Sequence, residues 1–94
     1  MPFAYCRLKF KIDRCKSLKE KRSILSALLT RLKKYNLSVI EKGNQDNHHQ
    51  IDLELSLVRS TRTLLEQDLQ LISDIFERDF PNLDLFDFEK EIYL

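Results

Sequence analysis

The sequence predicts an α+β fold in which the unit strand–helix–strand occurs twice, and three observations support this prediction. Residues 3–12 alternate between an apolar face and a mostly charged face, as a half-buried strand does. Leucines then recur at helical spacing from Leu18 to Leu32, behind a capping sequence typical of a helix start. A second alternating segment at 51–57 is followed by a second amphipathic helix, which ends before Pro81.

The first unit consists of a long strand, a helix and a short second strand. The inner face of the first strand carries Ala4, Cys6, Leu8, Phe10 and Ile12. Ser17 is predicted as the N-cap of the first helix, and Glu20 reaches back to complete a capping box. The helix continues to about Tyr35, where Asn36 fits a helix stop, and residues 37–42 form the second strand.

The second unit repeats this plan with a third strand, a second helix and a last strand. The inner face of the third strand carries Ile51, Leu53, Leu55 and Leu57. The second helix begins at Ser60 or Thr63, because residues 63–66 match a second capping box. The last strand lies within residues 83–94, where we expect Phe86 and Phe88 to enter the core.

The element order β-α-β-β-α-β predicts a ferredoxin-like sandwich that forms a single domain over residues 1–94. Right-handed crossovers place the strands in the order 4-1-3-2, each antiparallel to its neighbour, with both helices on one face of the sheet. The predicted core contains Ala4, Leu8, Phe10, Leu25, Leu29, Leu32, Leu53, Leu55, Leu69, Ile72 and Phe76.

The net charge of +1 hides a strong separation of charge along the chain. Residues 1–34 contain eleven Lys and Arg and two acidic residues, whereas residues 35–94 contain five Lys and Arg and thirteen acidic residues. Part of this separation is structural, because the outer faces of the neighbouring first and third strands carry cations and carboxylates, respectively. The cations around the first helix remain, and such a surface hints at a polyanionic partner.

Composition also indicates a cytoplasmic protein without a membrane segment. No apolar run approaches the roughly 18 residues that a membrane span needs, and the first residues lack the hydrophobic region of a signal peptide. The two cysteines, Cys6 and Cys15, do not make a disulfide framework. We therefore expect both to be reduced thiols.

The predicted topology brings segment 13–17, hairpin 43–50 and turn 81–83 to one end of the sheet. A basic helix start lies there, facing two glutamines of the hairpin. The candidate contact residues are Arg14, Lys16, Lys19, Lys21, Arg22, Gln45 and Gln50.

Two interpretations of this cluster stay open. On a helical wheel, Lys21 falls within the apolar stripe of the first helix and Arg22 on its margin. Both cations must then reach out along the edge of the core or meet carboxylates, for which Glu41 and Asp46 are available. The cluster is therefore either an internal ion-pair network or a surface that faces a ligand.

No catalytic, cofactor-binding or metal-binding residues are predicted, and we do not expect an enzyme. Loop 13–16 contains an arginine but no glycine, so it does not match the phosphate cradle of acylphosphatases. The adjacent His48 and His49 have poor spacing for one tetrahedral metal site. Base stacking on the sheet, as in RNA-recognition motifs, is disfavoured because the third strand presents Asp52 and Glu54.

Several segments resemble the YlxP-like family of short bacterial proteins, which has no settled biochemical function. The matching segments are SLKEKRS at 17–23, LSVIE at 37–41, Gln45-Asp46 with Gln50, and EKEI at 89–92. The sequence departs from the family at Asn44 and at the doubled His48-His49, where the family often has a bulky apolar or aromatic residue. The resemblance implies a ferredoxin-like fold. Family members are commonly encoded beside translation-initiation and ribosome-maturation factors, which implies RNA or ribosome association.

The predicted function is that of a small non-catalytic protein that associates with RNA or the ribosome through its basic helix start. The alternative is a dimeric protein-interaction or small-ligand regulatory domain without a nucleic-acid role. We also expect a homodimer, because the outer sheet face mixes Phe3, Tyr5, Val39 and Val58 with ion pairs, and edge strands are open to pairing.

Overall fold

The computed structural model describes residues 1–43 and 47–94, and it contains four strands and two helices in the predicted order. The elements are β1 (Phe3–Ile12), α1 (Leu18–Lys33), β2 (Ser38–Glu41), β3 (Gln50–Val58), α2 (Arg62–Asp79) and β4 (Leu83–Tyr93). The sheet order is β2-β3-β1-β4, and all three neighbouring pairs are antiparallel. The predicted ferredoxin-like topology is therefore confirmed.

The core lies between the helices and the inner face of the sheet, where β1 and β3 contribute alternate residues. Ala4, Leu8 and Phe10 of β1 are buried, and the ring of Phe10 packs edge-on against Phe76 of α2 at 5.0 Å between centroids. Of the predicted core residues, Leu29 and Leu69 are only half-buried, and the others are buried. Burying each large apolar side chain stabilises the fold by ~1.5–3 kcal/mol.

Helix α1 begins as its sequence predicts and ends two residues earlier than expected. The Ser17 hydroxyl accepts a hydrogen bond from the Glu20 amide at 3.2 Å, and the Glu20 carboxylate accepts one from the Lys16 amide at 2.9 Å. The helix ends at Lys33, and Asn36 has the left-handed φ of 55° that stops it. Beyond the end of α1, the Arg59 guanidinium donates a hydrogen bond to the carbonyl of Asn36 at 3.2 Å.

Helix α2 begins at a residue that we did not predict. Thr61 is the N-cap, with an extended backbone and a hydroxyl that accepts from the Leu64 amide at 3.2 Å. Both predicted starts are therefore wrong. The expected capping-box residue Glu66 instead pairs with Arg62 one helical turn before it, at 2.9 Å.

The prediction that Phe86 and Phe88 enter the core is also wrong, because their side chains are 44% and 47% exposed. The pairing of β4 with β1 is irregular between Lys9 and Phe10, which leaves Phe86 as an extra residue in β4. Its ring consequently lies on the outer face, 5.2 Å from the ammonium group of Lys11. Phe88 lies opposite Leu8 on the inner face, beside a groove that separates β4 from α2.

Candidate functional site

Two backbone hydrogen bonds join three connections at one end of the sheet. The amide of Ile12 donates to the carbonyl of His49 at 2.9 Å, and the amide of Asp13 donates to that of Asn82 at 3.0 Å. The β1–α1 connection therefore lies between the β2–β3 hairpin and the α2–β4 turn, as the topology predicts. This arrangement brings the start of α1 to the hairpin.

Lys21 binds within the fold at this end. Its side chain is almost completely buried, with 1% of the residue exposed, and its ammonium group donates to the carbonyl of Asn47 at 2.8 Å. The same ammonium group lies 3.4 Å from a carboxylate oxygen of Glu41 on β2. The internal ion pair between Lys21 and Glu41 is thus confirmed, and it ties α1, β2 and the hairpin together. The other candidate carboxylate, Asp46, lies outside the described residues.

Lys21 is consequently not available to an external ligand, although it was among the candidate contact residues. A buried cation whose partner is removed is left without compensation, which is strongly destabilising. The position of Lys21 in the apolar stripe was compatible with an internal ion pair and with a surface that faces a ligand. The internal ion pair explains this position.

The neighbouring cations differ from Lys21 in both exposure and pairing. Arg14, Lys16, Lys19 and Arg22 are all exposed. Within residues 1–43 and 47–94, none of their side chains lies within ion-pair distance of a carboxylate. The internal pairing considered for Arg22 is therefore not found in the described part of the chain.

The basic surface continues along α1 to a cation that is not among the predicted contact residues. Lys33 is exposed near the end of the helix and shares a shallow depression with Arg22, Ser26 and Thr30. These four residues recur at intervals of three or four, so they lie on one side of the helix. The same interval could have revealed Lys33 from the sequence. From Lys19 to Lys33, α1 spans about 21 Å along its axis.

We define the basic face as Arg14, Lys16, Lys19, Arg22 and Lys33. Arg14 adopts a left-handed backbone with φ of 61°, within the turn that leads from β1 towards α1. This conformation costs a non-glycine residue on the order of 1 kcal/mol, so the local turn is maintained by its surroundings. Arg14 and Lys16 precede α1, and Lys19 and Arg22 lie in its first turns, so these four cations are near the positive end of the helix dipole. Lys33 lies at the opposite end.

Of the two candidate glutamines, one lies within the described residues. Gln45 lies outside the described residues. Gln50 is half-buried, and its amide donates to the Asp52 carboxylate at 2.8 Å. It lines an open cavity of about 660 Å³ at the end of the sheet, together with His49 and Asn82. One N–H group of its side-chain amide is therefore already bound within the protein.

Two cations on the outer sheet face, Arg7 and Lys42, are paired with carboxylates. Arg7 lies 3.6 Å from Glu54 and 3.7 Å from Glu89, and Lys42 lies 3.3 Å from Glu54. The predicted pairing of charge between β1 and β3 is confirmed for Arg7 and Glu54. A hydrogen bond from the Tyr5 hydroxyl, with further contributions from Lys42 and Arg7, lowers the pKa of the Glu54 carboxyl.

Both cysteines are free and buried. Burial raises the pKa of the Cys6 thiol to about 11, and the Cys15 thiol lies 3.3 Å from the Ser17 carbonyl, to which it donates. Among the described residues, no group of three or more His, Cys, Asp or Glu side chains could hold a metal ion. The helices at 18–33 and 62–79 are not long and apolar enough to cross a membrane.

Sequence comparison relates this chain to proteins whose function is unknown. The family model described as "Protein of unknown function (DUF503)" matches residues 3–90. The uncharacterized protein YlxP of Bacillus subtilis (strain 168) is 36% identical over 69 residues, which cover 72% of this chain and 74% of YlxP.

Structural comparison relates the fold to two designed proteins. A de novo designed protein with ferredoxin fold, LFR1 1, has a TM-score of 0.58 and 12% identity, covering all of this chain and 87% of the other. The de novo designed protein Foldit4 has a TM-score of 0.56 and 9% identity, covering all of this chain and 98% of the other. These similarities concern the fold alone. Since the family model spans nearly the whole chain, this protein belongs to the DUF503 family, whose members include YlxP-like proteins.

Proposed function

We propose that this protein is a small, non-catalytic cytoplasmic protein that binds structured RNA, such as the RNA of the ribosome, through its basic face. The observation that supports the proposal most directly is the contrast between this face and the cations that form ion pairs elsewhere in the fold. Arg7, Arg31, Lys42 and Arg59 each form an ion pair with a carboxylate. The cations of the basic face have no such partner among the described residues.

The placement of these cations favours an anionic partner for a second reason. Unpaired amides at a helix start carry about half a positive charge in total, so the helix dipole repels cations placed there. A phosphate group bound at this end would relieve that repulsion, and contacts of this kind supply most of the affinity of nonspecific RNA binding. Contacts to phosphates position a protein on RNA without reading its sequence.

The test is a salt series of binding to ribosomal subunits and to a structured RNA hairpin. We expect the affinity of the wild type to fall steeply with salt, because phosphate contacts release counterions. The variant Lys16→Glu/Lys19→Glu should lose most binding, and its slope of log affinity against log salt should be about two units flatter.

The matched control is Arg62→Glu/Arg78→Glu, which changes the net charge equally on the exposed surface of α2. If the control loses as much affinity as the basic-face variant, the binding reflects net charge alone and the proposal is wrong. The proposal is also wrong if the wild type does not bind RNA at low salt.

The alternative function, a dimeric interaction domain without a nucleic-acid role, is favoured by one feature of the outer sheet face. Phe3 and Tyr93 are exposed there and stack with ring centroids 4.7 Å apart. Val58, opposite Phe3 on β3, extends this apolar surface. The expected place of Val39 on this face is wrong, because Val39 lies opposite Leu55 and packs against the core. Self-association through it remains our proposal for a homodimer. Light scattering that gives 11.3 kDa at micromolar concentration would contradict it.

A further inference from the structure

An apolar groove separates α2 from β4 on the helix side of the sheet. Its volume is about 380 Å³, and Cys6 and Leu8 of β1 lie at its floor. Most of its lining is apolar and includes Leu69, Ile72, Phe76, Leu85, Phe88 and Ile92, and the polar part of the lining includes Glu66 and Lys90. Because Leu85 and Phe88 are each more than a third exposed, part of this apolar surface is accessible to another molecule.

The strand that forms one wall of the groove also has a free edge. β4 is eleven residues long and pairs with β1 along one side. In the described part of the chain, no strand pairs with its other side. A long free edge presents backbone N–H and C=O groups that can pair with an additional strand.

The outer face of β4 carries a row of carboxylates. Asp84, Asp87, Glu89 and Glu91 lie opposite Lys11, Lys9, Arg7 and Tyr5 of β1, respectively. Within the described residues, Glu89 pairs with Arg7, whereas Asp84 and Asp87 have no cation within ion-pair distance. The lysine of β4, Lys90, lies opposite Cys6 and therefore on the inner face.

This charge row decides between two possible occupants of the edge. If a second copy paired through its own β4 in antiparallel order, carboxylates of the two strands would face each other across the outer face. Like charges directly opposite each other in a sheet are destabilising. A strand with basic residues at alternate positions would instead place its cations beside Asp87 and Glu91.

We propose that β4 and the adjoining groove bind an extended segment of a partner protein in which apolar and basic residues alternate. The segment adds a fifth strand to the sheet. Its apolar side chains enter the groove beside Phe88, and its basic side chains lie along the carboxylates of the outer face. β1 has this same alternation and already pairs with the opposite side of β4.

The test uses a fluorescently labelled heptapeptide of alternating valine and lysine, which would extend about 23 Å along β4. Binding is followed by fluorescence anisotropy, and the site is mapped from backbone amide shifts. We expect saturable binding, with the largest shifts on β4 and α2. Two control peptides have alternating valine and glutamate, or the same valines and lysines in a non-alternating order, and both should bind at least tenfold more weakly.

Two variants separate the charge and the groove. Asp87→Lys/Glu91→Lys should weaken binding of the valine–lysine peptide by about tenfold and strengthen binding of the valine–glutamate peptide, since cross-strand pairs become repulsive or attractive, respectively. Phe88→Ala should weaken binding of the valine–lysine peptide, and amide shifts outside β4 check that the variant is folded.

Three results would overturn the proposal. The first is binding of the valine–lysine peptide that both variants leave unchanged. The second is a set of amide shifts confined to α1 or to the far edge at β2. The third is sedimentation showing a dimer in which the β4 amides that face away from β1 are protected from exchange without peptide, because a second copy would then occupy the edge. The inference does not depend on the RNA proposal, whose residues lie outside β4 and α2.

Discussion

Lys21 and Arg22 are adjacent in the sequence, and the two sides of α1 that they represent differ in almost every respect. Lys21 is buried and bound to Asn47 and Glu41. Arg22 is exposed and lies in a shallow depression of the helix surface. A count of charges at a helix start therefore says little about binding. Whether each cation is already neutralised inside the fold decides what it can do.

The largest expected effect is on stability, from removal of the Lys21 ammonium group. Lys21→Met should lower the free energy of unfolding by roughly 3–5 kcal/mol, because Glu41 then loses its buried partner. The matched change Arg22→Met should alter it by less than about 0.5 kcal/mol, as expected of an exposed residue that has no ion pair with the described carboxylates. Urea unfolding of both variants measures the difference.

A compensating change tests the cause of this effect. Lys21→Met/Glu41→Gln removes both charges, so it should regain part of the stability that Lys21→Met loses. Equal unfolding free energies for Lys21→Met and Arg22→Met would contradict the assigned structural role of Lys21.

A smaller effect is expected at the cap that fixes where α1 begins. Ser17→Ala removes the hydroxyl that accepts from the Glu20 amide, and should cost ~0.5–2 kcal/mol of unfolding free energy. Ser17→Asp restores an acceptor and should stay within a few tenths of wild type. If alanine and aspartate are equally tolerated in thermal unfolding, the capping hydrogen bond contributes nothing.

The sequence was sufficient to predict features that depend on local periodicity. The alternation in β1 and β3 and the spacing of leucines in α1 predict the elements, and right-handed crossovers then predict the strand order. The same helical periodicity placed Lys21 in the apolar stripe of α1. The partner of Lys21 was predicted only as one of two candidate carboxylates. The pairing of β2 with β3 shows how one of them, Glu41, approaches Lys21.

The failed predictions at the start of α2 and at Phe86 have physical causes that the local sequence does not reveal. Thr61 and Thr63 can both cap a helix, and the chain path after β3 selects Thr61. Phe86 and Phe88 are two residues apart, so a regular strand would place both on the same face. An extra residue in β4 shifts Phe86 to the other face. The exposure of Phe88 depends on the distance between β4 and α2, which no local pattern specifies.

The smallest predicted effect concerns the paired cations of the outer sheet face, which contrast with the basic face of α1. The pKa of Glu54 is lowered by the Tyr5 hydroxyl and by Lys42 and Arg7. A carboxyl whose folded pKa lies below its unfolded value stabilises the fold above the unfolded pKa, and this contribution is lost as the pH falls through the folded pKa. The free energy of unfolding should therefore decrease as the pH falls below 4.5, the ordinary pKa of a glutamate carboxyl.

Urea unfolding between pH 3 and 7 tests this contribution of Glu54. The decrease in unfolding free energy at low pH should be smaller for Glu54→Gln than for wild type. The control Glu77→Gln, on the exposed surface of α2, should retain the wild-type pH dependence. Identical pH dependence for Glu54→Gln and wild type would mean that the ion pairs of Glu54 on the outer face contribute no more to stability than the exposed cations of the basic face.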